Sequence, residues 1–309
     1  MDFFRLRSLP IFNSALRPAL RFFLLTSFLY LIFAGPGAAR AEELVIPPGT
    51  TIVFVAGEQA KRSLMAVDPA GGLARVLADT PGVMDTQPAV GPQGQLAWIR
   101  QNGPDWDLIE NGRVVGTGAM HLSPAYLPDG TLTASVSGME DTSIYAFKSS
   151  GEKVLLVAGG EGGLAVSPTF SPDGRKAAYV SNQSNFAQIY IMDLNDPGRN
   201  RHLSSGPVRN TDPDWSPKDD YITFVTAEKD ICIIKPDGGE FKQLTKDQGL
   251  NRDPSFSPDG RLIVFSSDRD GFWRLYVMNL DGSGQRPLLP SVTVSQSQPV
   301  WGTVAPKKP

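Results

Sequence analysis

Beyond residue 50 the chain alternates short apolar runs with polar, turn-forming clusters. Leu262-Ile263-Val264-Phe265 is one such run. It contains no polar position, which is the pattern of a strand covered on both faces. It follows Asp253-Pro254-Ser255-Phe256-Ser257-Pro258-Asp259-Gly260. Proline cannot donate to a central ladder, so both prolines are expected at strand edges. Asp259-Gly260 supplies a tight turn, because glycine takes positive φ at no steric cost and aspartate tolerates it.

This octet recurs. Keyed on its first proline, it reads Gln87-Pro88-Ala89-Val90-Gly91-Pro92-Gln93-Gly94, then Ser123-Pro124-Ala125-Tyr126-Leu127-Pro128-Asp129-Gly130, then Ser167-Pro168-Thr169-Phe170-Ser171-Pro172-Asp173-Gly174. Asp212-Pro213-Asp214-Trp215-Ser216-Pro217-Lys218-Asp219 and the copy at Asp253 follow, and Gln298-Pro299-Val300-Trp301-Gly302 is a truncated last copy. The spacings are 36, 44, 45, 41 and 45 residues. A period of about 40–45 residues with several short strands per repeat is the signature of a β-propeller blade.

Each repeat reads as four strands. The innermost carries the aromatic before the second proline: Tyr126, Phe170, Trp215, Phe256 and Trp301. The second follows the turn, as in Leu96-Ala97-Trp98-Ile99, Ala177-Ala178-Tyr179-Val180 and Ile222-Thr223-Phe224-Val225. The third includes Ile144-Tyr145-Ala146-Phe147, Ile189-Tyr190-Ile191-Met192, Ile231-Cys232-Ile233-Ile234 and Leu275-Tyr276-Val277-Met278. The outer strand is short and more polar, as in Arg201-His202-Leu203 and Lys242-Gln243-Leu244-Thr245, and polar edges resist edge-to-edge pairing. The unit from 88 to 123 is the least regular.

The two ends of the repeat array complete each other. Thr51-Ile52-Val53-Phe54-Val55, Leu64-Met65-Ala66-Val67 and Ala74-Arg75-Val76-Leu77 read as a second, third and outer strand without an innermost one. Val300-Trp301 reads as an innermost strand with nothing after it. The expected fold is therefore all-β: a six-bladed β-propeller of four-stranded antiparallel blades over residues 42–303, closed by strands from both termini, with a short tail at 304–309. Closure removes the exposed edges of an open array.

Residues 1–41 read as a cleavable export signal. Arg17 and Arg21 precede the apolar run Phe22–Ala34, Gly35-Pro36-Gly37 breaks it, and Ala39-Arg40-Ala41 forms a small-x-small cleavage site. The run is short for a membrane span of about 20 residues, so no stable span is expected after cleavage. Residues 1–41 hold five basic side chains and one acid, which leaves a net charge of −7 on the remainder. That acidity disfavours nucleic acid and anionic membranes as partners. Cys232 is the sole cysteine and His121 and His202 the only histidines, so neither an intramolecular disulfide nor a Cys/His metal cluster is expected.

The segments Ser-Pro-Asp-Gly before an apolar strand, Ile-Tyr-Ile-Met-Asp and Leu-Tyr-Val-Met-Asn, with Asn210-Thr211-Asp212-Pro213-Asp214-Trp215 and Gln243-Leu244-Thr245, resemble the repeats of the TolB propeller family. The likeness covers roughly residues 50–302 and is sharpest over 165–285. It implies a periplasmic, non-enzymatic scaffold of a Tol–Pal-type envelope system, with a periplasmic or outer-membrane protein such as a Pal-like lipoprotein as partner. The family carries an α/β domain before its propeller and engages TolA through its N-terminal segment. Here the first strand is expected within ten residues of the cleavage site, so no TolA-binding role is carried over.

The resemblance also implies that the residues just before the key prolines, Gln87, Ser123, Ser167, Asp212, Asp253 and Gln298, ring the central channel. Two readings stand. The ring holds a cation or a partner's basic group, or it satisfies backbone N–H groups and channel water. On the same face, Arg209, Asn210, Arg252, Arg269, Trp273 and Arg274 form the expected partner-binding patch, because arginine and tryptophan are typical interface anchors. Their positive charge on an acidic body suits an acidic partner. No cofactor is expected beyond such a channel cation. For catalysis there is no Gly-x-Ser-x-Gly elbow. The competing reading is a hydrolase or lactonase using Asp212 and Asp253. His121 is expected in a structural role, His202 on the surface and Cys232 as inert core packing.

Overall fold

A computed structural model describes residues 44–58, 61–218 and 220–304. The expected export signal and most of the short C-terminal tail lie outside these residues. Among the described residues, no helix is long and apolar enough to cross a membrane.

The described residues form twenty-four strands. β1 (Thr51–Glu58), β2 (Lys61–Val67) and β3 (Arg75–Ala78) come first, followed by β4 (Met84–Val90), β5 (Leu96–Asn102), β6 (Asp105–Glu110) and β7 (Arg113–Gly116). β8 (Met120–Tyr126), β9 (Leu132–Ser137), β10 (Thr142–Phe147) and β11 (Lys153–Val157) are next, then β12 (Ala165–Phe170), β13 (Lys176–Ser184), β14 (Phe186–Asp193) and β15 (Asp196–His202). β16 (Asn210–Trp215), β17 (Ile222–Thr226), β18 (Asp230–Ile234) and β19 (Lys242–Gln243) precede β20 (Asn251–Phe256), β21 (Leu262–Ser267), β22 (Arg274–Asn279) and β23 (Arg286–Pro287); β24 (Gln296–Gly302) is last.

Antiparallel pairing runs β4 to β7, β8 to β11, β12 to β15, β16 to β19 and β20 to β23. The remaining set joins the two ends of the array: β24 pairs with β1, which pairs with β2, which pairs with β3. Val53 lies opposite Val300 and Ile52 opposite Trp301. Single parallel bridges, Arg62 to Met84 and Trp106 to Met120, link this set, β4 to β7 and β8 to β11 into one twelve-stranded sheet.

Among the described residues the core is divided into six clusters, each shared by two units. Val55 and Leu64 pack on Trp98 and Ile109, and Ala97 and Leu108 pack on Leu132 and Ala134. Ile144 and Val157 meet Tyr179 and Tyr190, and Val180 and Ile191 meet Trp215 and Phe224. Val225 and Ile233 meet Phe256 and Phe265. Leu262 and Val277 of the last complete unit pack on Ile52, Phe54 and Trp301. Strands covered on both faces explain the unbroken apolar runs, and every residue of β21 is buried. Outer strands need no such cover, and β15 is exposed throughout.

The turn octet has a local cause. Ser257 Oγ donates to Asp259 Oδ1 at 2.6 Å and accepts the Leu262 N–H at 3.0 Å, which fastens the turn to the next strand. Ser171 and Asp173 repeat this arrangement. Gly94, Gly130, Gly174 and Gly260 hold φ between 69° and 89°, where a side chain is strained. The first proline of each octet departs from expectation. Pro254 lies inside β20 rather than at its edge, and Pro88, Pro124, Pro168, Pro213 and Pro299 lie likewise inside their strands. The ladder shifts register at each of these prolines, so the missing N–H falls where no pairing is required.

Candidate functional site

Six non-glycine residues stand immediately before those prolines, and all six are left-handed. Gln87, Ser123, Ser167, Asp212, Asp253 and Gln298 have φ between 46° and 52°. Such a backbone costs roughly 1–3 kcal/mol at each position and persists only where surrounding contacts impose it. Here the contacts are bonds between units. The bulge frees the N–H from its own ladder, and at Gln87, Ser123, Asp253 and Gln298 the neighbouring unit accepts it. The Gln298 N–H donates to Asp253 Oδ2 at 3.2 Å, the Gln87 N–H to Gln298 Oε1 at 2.9 Å, and the Ser123 N–H to Gln87 Oε1 at 2.6 Å. The Asp253 N–H donates to the Asp212 carboxylate, and the Ser123 and Ser167 hydroxyls lie 3.3 Å apart. A continuous run of contacts thus passes through all six positions. One cavity of about 710 Å³ touches all of them.

Two residues further along each strand the wall changes character. Thr169 Oγ1 accepts the Trp215 N–H at 2.9 Å, Asp214 Oδ2 the Phe256 N–H at 2.7 Å, and Ser255 Oγ the Trp301 N–H at 3.2 Å. At the equivalent positions Ala89, Ala125 and Val300 carry no acceptor.

Three carboxylates line this cavity. Each is partly buried. Burial, and then the adjacent Asp253, push Asp212 well above the ordinary carboxylate range. Burial also raises Asp253, against the Gln298 N–H, the Ser266 hydroxyl and Arg252. Asp214 is pushed up to about 7 by burial, although it accepts hydrogen bonds from Phe256, Ser255, Trp215 and Thr169. Among the described residues no group of three or more His, Cys, Asp or Glu is arranged to hold a metal ion.

The expected patch lies beside the Asp212–Asp253 side of the ring. The Arg252 guanidinium is 5.4 Å from the centre of the Trp273 ring, and Arg274 is 4.2 Å from that of Phe272. Arg209 pairs with Glu228 at 3.1 Å. Arg269 donates to Ser267, Gln285 and Asn251 and lies 4.4 Å from the Tyr276 ring, so it braces the loops from within.

Asn210 is a correction. It is 2 % exposed, and its Nδ2 donates to Gln188 Oε1 at 2.7 Å, so its side chain faces the fold and not a partner. It belongs to a set that sequence reasoning missed, two residues before each ring position: Asp85, His121, Ala165, Asn210, Asn251 and Gln296, all buried. Asp85 accepts from Trp98 and Arg100, Asn251 donates to the Lys229 carbonyl, and Gln296 donates to the Val292 carbonyl. Their fixed offset from the key proline was the available signal.

His121 is 1 % exposed, with Nδ1 at 3.0 Å from the carbonyls of both Trp106 and Ala119, and burial lowers its pKa. His202 is exposed and bonds the Tyr190 hydroxyl at 2.8 Å. Cys232 is buried and free, its thiol pushed up to about 12 by burial.

Comparison with known proteins adds to this geometry. The family model described as TolB beta propeller domain matches residues 106–305. A stretch of 76 residues, 24% of this chain, is 36% identical to 17% of the Protein TolB homolog of Chlorobium luteolum. Another of 53 residues, 17% of this chain, is 42% identical to 12% of the Tol-Pal system protein TolB of Bordetella pertussis. The chain therefore matches less than a fifth of the length of either relative. TolB from Acinetobacter baumannii superposes with a TM-score of 0.71 at 20% identity, over 83% of this chain and 68% of that one. A puromycin-hydrolyzing peptidase of Mycobacterium tuberculosis does so with a TM-score of 0.55 at 14% identity, over 78% of this chain and 44% of that one. At these identities the likeness to both structures is one of fold alone.

Proposed function

The chain belongs to the TolB β-propeller domain family, and on that footing we propose that it is a six-bladed, closed propeller acting as a non-enzymatic scaffold for another envelope protein. The six shared core clusters, the last joining Leu262 and Val277 to Ile52 and Trp301, support the closed ring. The names of the relatives support a Tol–Pal-type role in envelope integrity, with a Pal-like lipoprotein as partner. Such a role requires the periplasm, and the signal-like sequence of residues 1–41 supports export there.

The carrying observation is the cation–π contact of Arg252 with Trp273 beside the ring. An aromatic anchor with a charged partner is the composition of an interface hot spot. Titration calorimetry with the soluble domain of a Pal-type lipoprotein tests it. Trp273→Ala is expected to cost about 2 kcal/mol or more of binding. Arg252→Glu is expected to slow association, most strongly at low salt. Wild-type binding by both variants would remove this face from the reading.

The raised carboxylates favour one alternative. An acid pushed up to about 7, such as Asp214, suits general acid–base work near neutrality. Under this reading the chain is a propeller hydrolase or lactonase with Asp212 and Asp253 at the channel. A screen of ester, lactone, phosphate and peptide substrates decides between the two. Turnover lost in Asp212→Asn or Asp253→Asn would establish the enzyme.

A further inference from the structure

Resting on the reading of this face as a protein-binding surface, we infer that Arg252 is its carboxylate-recognising residue and takes an aspartate or glutamate side chain of the partner. The four arginines of the patch differ in what already occupies them. Arg209 is paired to Glu228 at 3.1 Å. Arg269 spends its donors on Ser267 Oγ, Gln285 Oε1 and Asn251 Oδ1. Arg274 lies 3.8 Å from Asp270 and donates to the Pro290 carbonyl at 3.5 Å. Arg252 is exposed, and no hydrogen bond or ion pair to its guanidinium is made among the described residues.

What holds Arg252 is the Trp273 ring, 5.4 Å from its guanidinium carbon. This contact restrains the group and leaves its N–H fork open. A planar fork matches a carboxylate through two parallel hydrogen bonds, which a lysine cannot reproduce. Asp212 and Asp253 feel its charge, but both carboxylates already accept bonds from the backbone of the next unit. The surroundings narrow the ligand further. Glu228, Asp247 and Asp270 stand partly exposed on neighbouring loops. They are paired with Arg209, Lys229 and Arg274, so those cations are already neutralised, whereas lipid headgroups are read by clusters of free cations. A single carboxylate set at one place on a protein meets the arginine without meeting those acids.

The test uses poly-L-glutamate as probe, with polyphosphate and phosphatidylglycerol vesicles as separate arms, at physiological salt. The readout is the NMR shift of the Arg252 Nε–H and the Trp273 indole N–H. Poly-L-glutamate is expected to shift both. Arg252→Gln should weaken that response about tenfold or more, the range for hydrogen bonds to charged groups. Arg252→Lys should also fall short of wild type. Arg175→Gln, in a distant turn, should leave the response unchanged, and thermal melts would confirm that each variant is folded. Wild-type affinity in Arg252→Gln overturns the inference, as does a response to vesicles or polyphosphate but not to poly-L-glutamate. Lost lipoprotein binding in Trp273→Ala, with an unaltered poly-L-glutamate response in Arg252→Gln, would keep the interface and discard the carboxylate.

Discussion

The indole N–H of Trp301 donates to the hydroxyl of Thr50 at 3.0 Å, and both side chains are buried. This bond lies beside the pairing of β24 with β1. Thr50→Val keeps the shape and strands the indole donor, so it should destabilise by roughly 1–3 kcal/mol in urea unfolding. Trp301→Phe should remove most of the effect of adding Thr50→Val, because the donor is then gone.

The left-handed ring residues should respond unequally to glycine. Ser167 contributes a single hydroxyl contact, at 3.3 Å from Ser123. Relief of its strained φ of 52° opposes the entropy that glycine adds to the unfolded chain. Ser167→Gly should therefore stay within about 1 kcal/mol of wild type. Gln87→Gly loses the acceptor of the Ser123 N–H and should destabilise by about 1 kcal/mol or more. Paired denaturation curves would separate them.

Ala125 offers no acceptor where Thr169, one unit on, accepts the Trp215 N–H. Ala125→Ser places a hydroxyl at the equivalent position for the Phe170 N–H. It should stabilise the fold by about 1 kcal/mol, read as a raised midpoint in thermal unfolding.

Asp214 makes stability depend on pH in an unusual direction. Its folded pKa, about 7, lies above that of an unfolded carboxyl. Between about pH 4 and 7 the unfolded chain has released this proton while the folded chain keeps it. Rising pH therefore favours unfolding through that window, and Asp212 and Asp253 act in the same direction. Asp214→Asn retains an acceptor for the Phe256 N–H and removes the titration. Its stability should fall less than that of wild type between those limits, as measured by urea unfolding across pH.

The strands are legible in this sequence because blades are covered on both faces, so runs such as Leu262–Phe265 are apolar without interruption. The pairing of Val53 with Val300 is legible for a related reason, since two incomplete repeats have complementary gaps. The patch is only partly so. Asn210 and Arg209 are neighbours in sequence, and nothing in their composition says that one points into the fold and the other out. That difference follows from strand register, which a polar loop leaves unmarked. Arg269 reads as a surface cation for the same reason, and only the positions of Asn251, Gln285 and Tyr276 show that it is spent internally. The bulges at the key prolines also escape sequence reading, because a proline at a strand edge and a proline at a bulge look alike.

The pairing of β24 with β1 also sets a timetable. The first unit is three-stranded until the last strand has been made. At about 5–20 residues per second, the 251 residues separating Thr50 from Trp301 represent a wait on the order of tens of seconds. Throughout it, the inner edge of β1 stands open to any extended segment nearby. The pairing of β24 with β1 is therefore reached only after β24 has been made, and the interval before it is when β1 is most exposed to mispairing.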